Sequence, residues 1–357
     1  YFQFCEDIGA EPVPVVPAGV PCQNSHTGGH GQQCGIPMED MDEYVQSVLN
    51  LIEWANGDKK SEWGRKRADA GHPEPFNLKY IGVGNEDLIT DVFEERFTMI
   101  YQAIKEKYPE IIIIGTVGPF YRGTDYVEGW DIARKLNLEM VDEHYYQPPG
   151  WFINNQDFYD KYDREGTKVY LGEYASHVRG RRTNMETSLS EALYLTAIER
   201  NADVVSMTSY APLLAKEGHT NWNPDLIYFN NSEVKPTVDY YVQQLFSLNS
   251  GTEYIPSLVE LSDRDQSVRR RLGVSFVTDR ESGDLIIKLV NLLPVDIESD
   301  INLSEFTMNG EGTCTVLRGE PRDEKARPEE MEINIDTLLQ YRIPRYSMSV
   351  IRIKQKN

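Results

Sequence analysis

The chain has 357 residues, of which 40% are hydrophobic and 26% are charged. This composition is typical of a globular protein, and the length suits one large domain followed by a smaller one. The formal net charge of −21 argues against a nucleic acid as partner, because phosphate binding requires clustered Lys and Arg. No apolar run in the sequence reaches the length of a membrane span, and the four cysteines are too few for a disulfide scaffold.

The first 250 residues alternate short apolar segments with amphipathic ones. The apolar segments predict strands at 13–17, 79–84, 111–118, 138–146, 168–175 and 202–211. The amphipathic segments predict helices at 39–57, 91–109 and 185–201, and the opening YFQFCEDIG also reads as helix. Strands that are apolar throughout and alternate with helices indicate a parallel sheet covered on both faces. Long loops are expected at 17–37 and 57–76.

Two parallel architectures compete for this pattern. A doubly wound sheet favours a glycine-rich phosphate loop, but GVGN at 82–85 has no third glycine and is followed by acids, which argues against a nucleotide. A barrel places polar residues at the carboxyl ends of several different strands. Such residues occur at 85–86, 143–146, 173–174 and 209–210. The barrel is therefore the favoured architecture.

The pattern changes after residue 250. The segments at 274–293 and 341–355 read as strands, and no helical period lies between them. The predicted fold is a (β/α)8 TIM barrel over residues 1–250, followed by a C-terminal antiparallel β-sandwich over 251–357. Because only six barrel strands are visible, we expect the first two strands to precede Tyr1 in a longer protein.

Two glutamates, Glu86 and Glu173, end strands that are three βα units apart, so their side chains can converge on one cavity. Paired carboxylates are what glycoside hydrolysis needs, with one protonated and the other ionised. Asn85 can hydrogen-bond a sugar hydroxyl beside the reacting carbon. His144 and Tyr146 alternate on one strand and face the same side. Tyr146 can donate to a carboxylate, and His144 can bind substrate or orient the acid.

Other side chains near these strand ends have predicted roles. Candidates for packing against a sugar ring are Trp151, Tyr210 and Trp222. Glu143 is expected to point away from His144 and to be structural, because neighbouring residues of a strand face opposite sides. Asp87 and Asp91 are candidates for capping the following helix.

The loop at 21–35 contains two cysteines and two histidines, Cys22, His26, His30 and Cys34. Their spacing lacks the compact C-x-x-C pair of a structural zinc site. We therefore predict no metal here, and interpret the segment as a flexible loop that shapes a substrate cleft. The sequence leaves open whether Cys22 and Cys34 form a disulfide.

Four motifs together resemble glycoside hydrolase family 51, the α-L-arabinofuranosidases. They are KYIGVGNED, VDEHYY, VYLGEYA and NWNPDLIYFN, and they occur in that order. The resemblance covers residues 1–250 well and the rest loosely. It implies a (β/α)8 barrel with a C-terminal β-sandwich, hydrolysis with retention of configuration, and no cofactor. The implied partner is an arabinose-containing plant polysaccharide or oligosaccharide.

The resemblance also implies roles for individual residues. Glu86 corresponds to the acid/base and Glu173 to the nucleophile. The implied substrate-binding residues are Asn85, His144, Tyr146, Trp222 and Asn223. Among these, Asn85 binds the 2-hydroxyl and Tyr146 holds the nucleophile. The family's first two strands supply further contacts to arabinose that have no counterpart in this sequence, so the activity of this chain is a separate question.

Two other functions stay open at this point. One is an endo-acting retaining barrel glycosidase, such as a glucanase or xylanase. The other is an inactive carbohydrate-binding fragment that keeps the cleft. The sequence does not fix linkage preference, oligomeric state or compartment. A polymeric substrate favours an extracellular or periplasmic location over the cytoplasm, and the family resemblance suggests a homo-oligomer.

Overall fold

A computed structural model describes residues 1–21, 23 and 34–355 of the chain. It contains two compact units, which are described separately below. The first unit consists of Tyr1–Tyr145 and Asp163–Gly172, and the second begins with Tyr146–Tyr162 and continues from Glu173. Two strands cross the unit boundaries, so each contributes residues to both units. Cys22, His26 and His30 lie outside the described residues, and the predictions for their loop stay predictions.

The first unit is built on parallel strands. They are β1 (Val15–Val16), β2 (Tyr80–Val83), β3 (Ile112–Thr116), β4 (Met140–Gln147) and the beginning of β5 (Lys168–Ser176). The order β1-β2-β3-β4 is parallel throughout, and the Lys168 N–H donates to the Glu139 carbonyl at the start of β5. Ile81, Val83 and Ile113 are fully buried, as expected for strands covered on both faces. All five predicted strands are confirmed.

Among the residues that the structure describes, five α-helices accompany these strands. They are α1 (Phe2–Asp7), α2 (Met41–Asn56), α3 (Glu62–Asp69), α4 (Asp91–Lys107) and α5 (Thr124–Leu136). The predictions for α1, α2 and α4 are confirmed. The predicted caps of α4 are wrong, because Thr90 is the N-cap and its hydroxyl accepts from the Phe93 N–H. Asp87 instead accepts from the Asn85 N–H, and Asp91 lies in the first turn.

Helix α3 lies inside the segment predicted as a loop at 57–76. Its sequence EWGRKRAD has little apolar periodicity, so the sequence pattern does not indicate a helix. The helix is held by Arg67, whose side chain is fully buried. The Arg67 guanidinium donates to four backbone carbonyls, those of Trp54, Ala55, His72 and Pro73. These bonds satisfy the donors of a buried cation that has no carboxylate partner in the described part of the chain.

The second unit begins with the ends of β4 and β5 and contains α6 (Pro149–Asn154), α7 (Met185–Arg200), β6 (Val205–Tyr210) and α8 (Val238–Ser247). The Ala211 N–H donates to the Tyr174 carbonyl, which ties the end of β6 to β5. Helix α7 is buried on nearly every side and begins with a capping box at Asn184. The predictions of α7 and β6 are confirmed. A small sheet of β7 (Leu214–Lys216), β8 (Ile227–Phe229) and β9 (Val234–Pro236) was not predicted.

The rest of the second unit is antiparallel β-structure. Its elements are β10 (Glu253–Tyr254), α9 (Gln266–Arg269), β11 (Leu272–Thr278), β12 (Asp284–Asn291), β13 (Ile297–Asn302), β14 (Met308–Arg318), β15 (Glu329–Asn334), β16 (Leu338–Ile343) and β17 (Ser347–Gln355). One sheet has the order β10-β11-β12-β17-β14-β15, and β13 pairs with β16. Both sheets contribute to one core. The strand predicted at 341–355 is interrupted after Ile343.

The predicted β-rich C-terminal region is therefore confirmed, whereas a domain boundary at residue 250 stays a prediction. Among the described residues, no helix combines the length and apolarity needed to cross a membrane.

Candidate active site

Glu86 follows strand β2 on a tight backbone turn. Gly84 has φ +83°, and Glu86 itself has φ +51°, in the left-handed region that non-glycine residues rarely adopt. A Cβ atom on Gly84 would lie 2.4 Å from the Asp87 carboxylate. Backbone strain of this kind costs on the order of 1–3 kcal/mol and clusters at functional sites. The strained turn at GNED is therefore consistent with a functional site directly after this buried strand.

Both carboxylate oxygens of Glu86 have partners within the first unit. Oε1 lies 3.2 Å from Nδ1 of His144, and Oε2 accepts from the Gln23 side-chain amide at 2.9 Å. The Glu86 side chain is 21% exposed. It is thus held from two sides and still accessible to a substrate.

His144 joins Glu86 to a second carboxylate, that of Asp142. Its Nε2 lies 3.0 Å from Oδ2 of Asp142, and the His144 side chain is almost fully buried. With both ring nitrogens facing carboxylates, this geometry favours the orienting role of His144, and its place in a sugar subsite stays a prediction. Asp142 was not predicted, although the alternation that groups His144 with Tyr146 places Asp142 on the same face.

Glu173 lies on β5, in the second unit, and is half-buried. The Tyr146 hydroxyl donates to its Oε2 at 2.7 Å. The Tyr146 ring stacks on His177, with ring centroids 5.5 Å apart. Burial, assisted by the charge of Arg181, lowers the pKa of His177 to about 4, so this imidazole is neutral near pH 7. A hydroxyl that donates to a carboxylate stabilises its ionised form.

One of the three aromatic candidates for sugar packing, Tyr210, is wrong, whereas Trp151 is only partly buried and its role stays a prediction. Tyr210 is 7% exposed, and its hydroxyl lies 3.4 Å from the Asp239 carboxylate. The Trp151 ring packs among the side chains of Phe158 and Tyr194. Strand ends carry aromatic residues for the core as well as for a cleft, and the sequence does not separate the two.

Trp222 is more than half exposed, which leaves its ring accessible to a sugar. The neighbouring Asn223 anchors the loop, because its amide donates to the Arg181 carbonyl and its oxygen accepts from the Tyr228 hydroxyl, both at 3.0 Å. Asn85 is exposed next to Glu86. The substrate contacts of these residues stay predictions.

Glu143 has the structural environment expected of it. It is fully buried, and its Oε1 accepts from the Trp130 indole N–H at 3.1 Å. Glu143 is therefore a buried carboxylate on the same strand as His144, and it has no predicted part in catalysis.

The two glutamates have different surroundings. Glu86 lies 3.2 Å from the His144 imidazole, a hydrogen-bonding partner of the kind that a general acid or base has. Glu173 accepts a hydroxyl hydrogen bond, as suits a nucleophile that must stay ionised. These two environments are the chemical basis for comparing the chain with known proteins.

Two family models match the chain. Residues 1–164 match the alpha-L-arabinofuranosidase 1 domain, and residues 158–347 match the alpha-L-arabinofuranosidase C-terminal domain. Together they cover both units.

Curated relatives agree with these matches. The chain is 42% identical over 326 residues to an extracellular exo-alpha-L-arabinofuranosidase of Streptomyces chartreusis, covering 90% of this chain and 38% of the relative. It is 34% identical over 293 residues to alpha-L-arabinofuranosidase 2 of Arabidopsis thaliana, covering 82% of this chain and 40% of the relative. The chain thus spans about two fifths of the length of these relatives.

Solved structures share the fold. An arabinose-bound MgGH51 α-L-arabinofuranosidase matches with a TM-score of 0.83 at 28% identity, covering all of this chain and 56% of the other. The α-L-arabinofuranosidase of Thermotoga maritima, in an arabinose complex, matches with a TM-score of 0.73 at 17% identity, covering 99% of this chain and 77% of the other; at that identity the match shows the fold alone. From these matches, the chain belongs to the α-L-arabinofuranosidases of glycoside hydrolase family 51.

Proposed function

We propose that this chain carries the catalytic residues of a retaining glycosidase that releases terminal α-L-arabinofuranosyl residues. The observation that supports this most directly is the difference between the two glutamate environments. Glu86 lies against the His144 imidazole, whereas Glu173 accepts the Tyr146 hydroxyl hydrogen bond. Glycosidases divide acid and nucleophile roles between two carboxyl groups in this way.

The proposed reaction is a double displacement. In the first step the Glu173 carboxylate attacks the anomeric carbon, the glycosidic bond breaks, and the proton of Glu86 passes to the departing oxygen. In the second step Glu86 takes a proton from water, the water oxygen attacks the anomeric carbon, and the bond to Glu173 breaks. Free arabinose leaves, and both carboxyl groups return to their starting states.

The remaining predicted residues have binding roles in this proposal. Asn85, exposed beside Glu86, hydrogen-bonds the 2-hydroxyl of the arabinose. Trp222 packs its exposed ring against a sugar, and Asn223 holds the Trp222 loop in place through Arg181 and Tyr228. His144 borders the arabinose subsite.

We extend the proposal to the architecture and setting of the whole protein. The six parallel strands are six of the eight strands of a (β/α)8 barrel, with the barrel over residues 1–250 and the β-sandwich over 251–357. The match of this chain to 56% of a longer family 51 structure supports this assignment. The name of the Streptomyces relative supports an extracellular location, where arabinose-containing polysaccharides are accessible. A homo-oligomer is a further prediction.

Hydrolysis of 4-nitrophenyl α-L-arabinofuranoside tests the activity. We expect release of nitrophenol by this chain or by a version extended upstream. The Glu173→Ala substitution in whichever version is active should abolish that release. The matched control is Glu143→Gln, which changes a buried carboxylate that has no part in the proposed reaction. No release by either wild-type version would contradict the proposal.

Transfer to methanol tests the stereochemistry. A retaining enzyme produces methyl α-L-arabinofuranoside, which NMR identifies. Retention also predicts carboxyl groups about 5–5.5 Å apart, whereas inversion needs a separation of up to about 9.5 Å. Formation of the β-anomer would contradict the double displacement.

Two further results would indicate a different function. Rapid loss of viscosity of a long glucan or xylan, without arabinose release, would indicate an endo-acting glycosidase. Calorimetric binding of arabino-oligosaccharides without any hydrolysis would indicate a carbohydrate-binding protein.

A further inference from the structure

Asp142 is a buried carboxylate that the proposed reaction does not use. It lies on β4 two residues before His144, and only 6% of the residue is exposed. Its Oδ2 is 3.0 Å from Nε2 of His144. Burial of a carboxylate is costly unless its charge is compensated. The presence of this carboxylate beside His144 therefore requires an explanation.

The other oxygen of Asp142 makes this burial more costly. Oδ1 is buried and has no hydrogen-bond partner among the described residues. Buried polar atoms that lack a partner are rare in native proteins, and they occur at functional sites. A carboxylate retained under these conditions is more consistent with a functional role than with stabilisation of the fold.

The absence of a side chain at Gly172 leaves space for the Oδ1 atom of Asp142. A Cβ atom on Gly172 would lie 2.1 Å from Asp142 Oδ1, so any larger residue at 172 would collide with the carboxylate. Gly172 immediately precedes Glu173 in the motif GEY. The strand that bears the proposed nucleophile is therefore shaped around Asp142.

We propose that Asp142 is a positioning residue that sets the tautomer of His144 and, through it, the protonation of Glu86. The inference rests on the proposed function for its catalytic meaning. An ionised Asp142 holds the single imidazole proton on Nε2. Nδ1 of the neutral ring then presents a lone pair to Glu86 Oε1, 3.2 Å away.

This tautomer suits both steps of the reaction. A lone pair facing Oε1 accepts a hydrogen bond from protonated Glu86 and disfavours its ionised form. In this tautomer Glu86 can give its proton to the leaving oxygen and recover one from water without competition from an N–H at Nδ1. The opposite tautomer, with the proton on Nδ1, would donate to Glu86 and hold it ionised. An aspartate has the same orienting role towards the histidine of serine proteases.

The Asp142→Asn variant tests the inference. An asparagine amide can donate to Nε2 and so impose the opposite tautomer, as the equivalent change does in serine proteases. We expect kcat/KM for phenyl α-L-arabinofuranoside, whose leaving group needs protonation, to fall roughly tenfold to a hundredfold, because only part of the contribution of general acid catalysis is lost. For the 2,4-dinitrophenyl arabinofuranoside, whose leaving group needs no acid, we expect a fall of no more than about threefold.

The matched control is Glu143→Gln, which changes the adjacent buried carboxylate on the opposite face of β4. We expect it to affect both substrates equally. A similar loss on both substrates for Asp142→Asn would overturn the inference, because a purely structural defect does not depend on the leaving group.

Nitrogen-15 NMR of the histidine side chains gives a readout that does not require activity. The chain has six histidines, and His144→Gln identifies the His144 signals by their disappearance. We expect a neutral ring protonated on Nε2 in the wild type and on Nδ1 in Asp142→Asn. A wild-type ring protonated on Nδ1 would overturn the inference. If the wild type hydrolyses neither substrate, the proposed function fails while these spectra still decide the tautomer.

Discussion

Two buried charge clusters of this protein are arranged in opposite ways. In the second unit, Glu199 Oε1 lies 2.6 Å from the Lys288 ammonium, and Oε2 accepts from the Ser275 hydroxyl. In the first unit, Asp142 has one oxygen against His144 and one without a partner among the described residues. In the Lys288 cluster both carboxylate oxygens have partners, so we call it closed. In the Asp142 cluster only one of the two oxygens has a partner among the described residues.

The difference indicates what each cluster is for. A buried ion pair with every oxygen satisfied holds elements together, and removing one member leaves a costly isolated charge. A buried carboxylate that is only partly satisfied contributes little to stability, and it is retained where it adjusts the chemistry of a site. Variants in the site should therefore change turnover, and variants in the closed cluster should change stability.

The largest effect is expected at Glu173. Glu173→Ala should lower kcat on the order of 10⁴-fold or more, because in the proposed reaction no other group forms the bond to the anomeric carbon. Its thermal unfolding should stay close to that of the wild type, and azide, a small nucleophile, should restore part of the turnover. Full activity in the variant would refute the assignment of the nucleophile.

A large loss of stability is expected at Lys288. Burial lowers the pKa of Lys288 and raises that of Glu199, and the attraction between the two charges opposes both shifts. Lys288→Met should lower the free energy of unfolding by about 3–5 kcal/mol in urea titrations. The double variant with Glu199→Leu should recover most of that loss. If the double variant is no more stable than the single one, the pair is not the reason for the loss.

A third buried carboxylate should make stability depend on pH. Burial raises the pKa of Asp239 to about 7, although hydroxyls of Ser188, Thr187 and Tyr210 donate to it. Because the folded state holds this proton more tightly than the unfolded chain, the stabilisation is complete below about pH 4 and is lost as the pH rises through about 7.

The Asp239→Asn variant isolates this contribution. Its stability relative to the wild type should grow by up to about 4 kcal/mol between pH 4 and pH 8, measured by urea unfolding at each pH. Glu191, which is fully buried and whose pKa is also raised, contributes in the same direction in both proteins. A constant difference between the two proteins across this pH range would rule out the titration of Asp239.

The smallest effect is expected at Asp142 and has the opposite sign. Asp142→Asn should leave the free energy of unfolding unchanged or raise it by up to about 1 kcal/mol, because a poorly compensated buried charge is removed. This expectation separates Asp142 from Lys288 most clearly. A loss of more than about 2 kcal/mol would place Asp142 in the same structural class as Lys288.

The sequence predicted the elements that rest on local pattern. All six strands of the parallel part and the helices at Met41–Asn56, Asp91–Lys107 and Met185–Arg200 occur where the apolar spacing indicates. Helix Glu62–Asp69 was missed because Arg67 holds it through bonds to distant carbonyls, and periodicity does not register such bonds. Tyr210 was misassigned for a related reason, since its burial depends on neighbours far away in sequence.

The residues of the candidate site divide in the same way, into those that local sequence pattern predicts and those that only the structure reveals. Glu86 and Glu173 stand out because acids directly follow apolar strands. Asp142 does not stand out, since it lies within a buried strand where a polar residue reads as an isolated exception. Only its distance to His144 and the space left by Gly172 reveal its environment.

The contact between Gly172 and Asp142 also constrains how this protein can evolve. An alanine at 172 would place its methyl group 2.1 Å from the Asp142 carboxylate oxygen, so we expect that change to follow a smaller residue at 142. The favoured order of substitution then passes through an intermediate that lacks the aspartate. Lineages that keep the aspartate should retain the glycine, and a joint history of the two positions is the expected genetic signature.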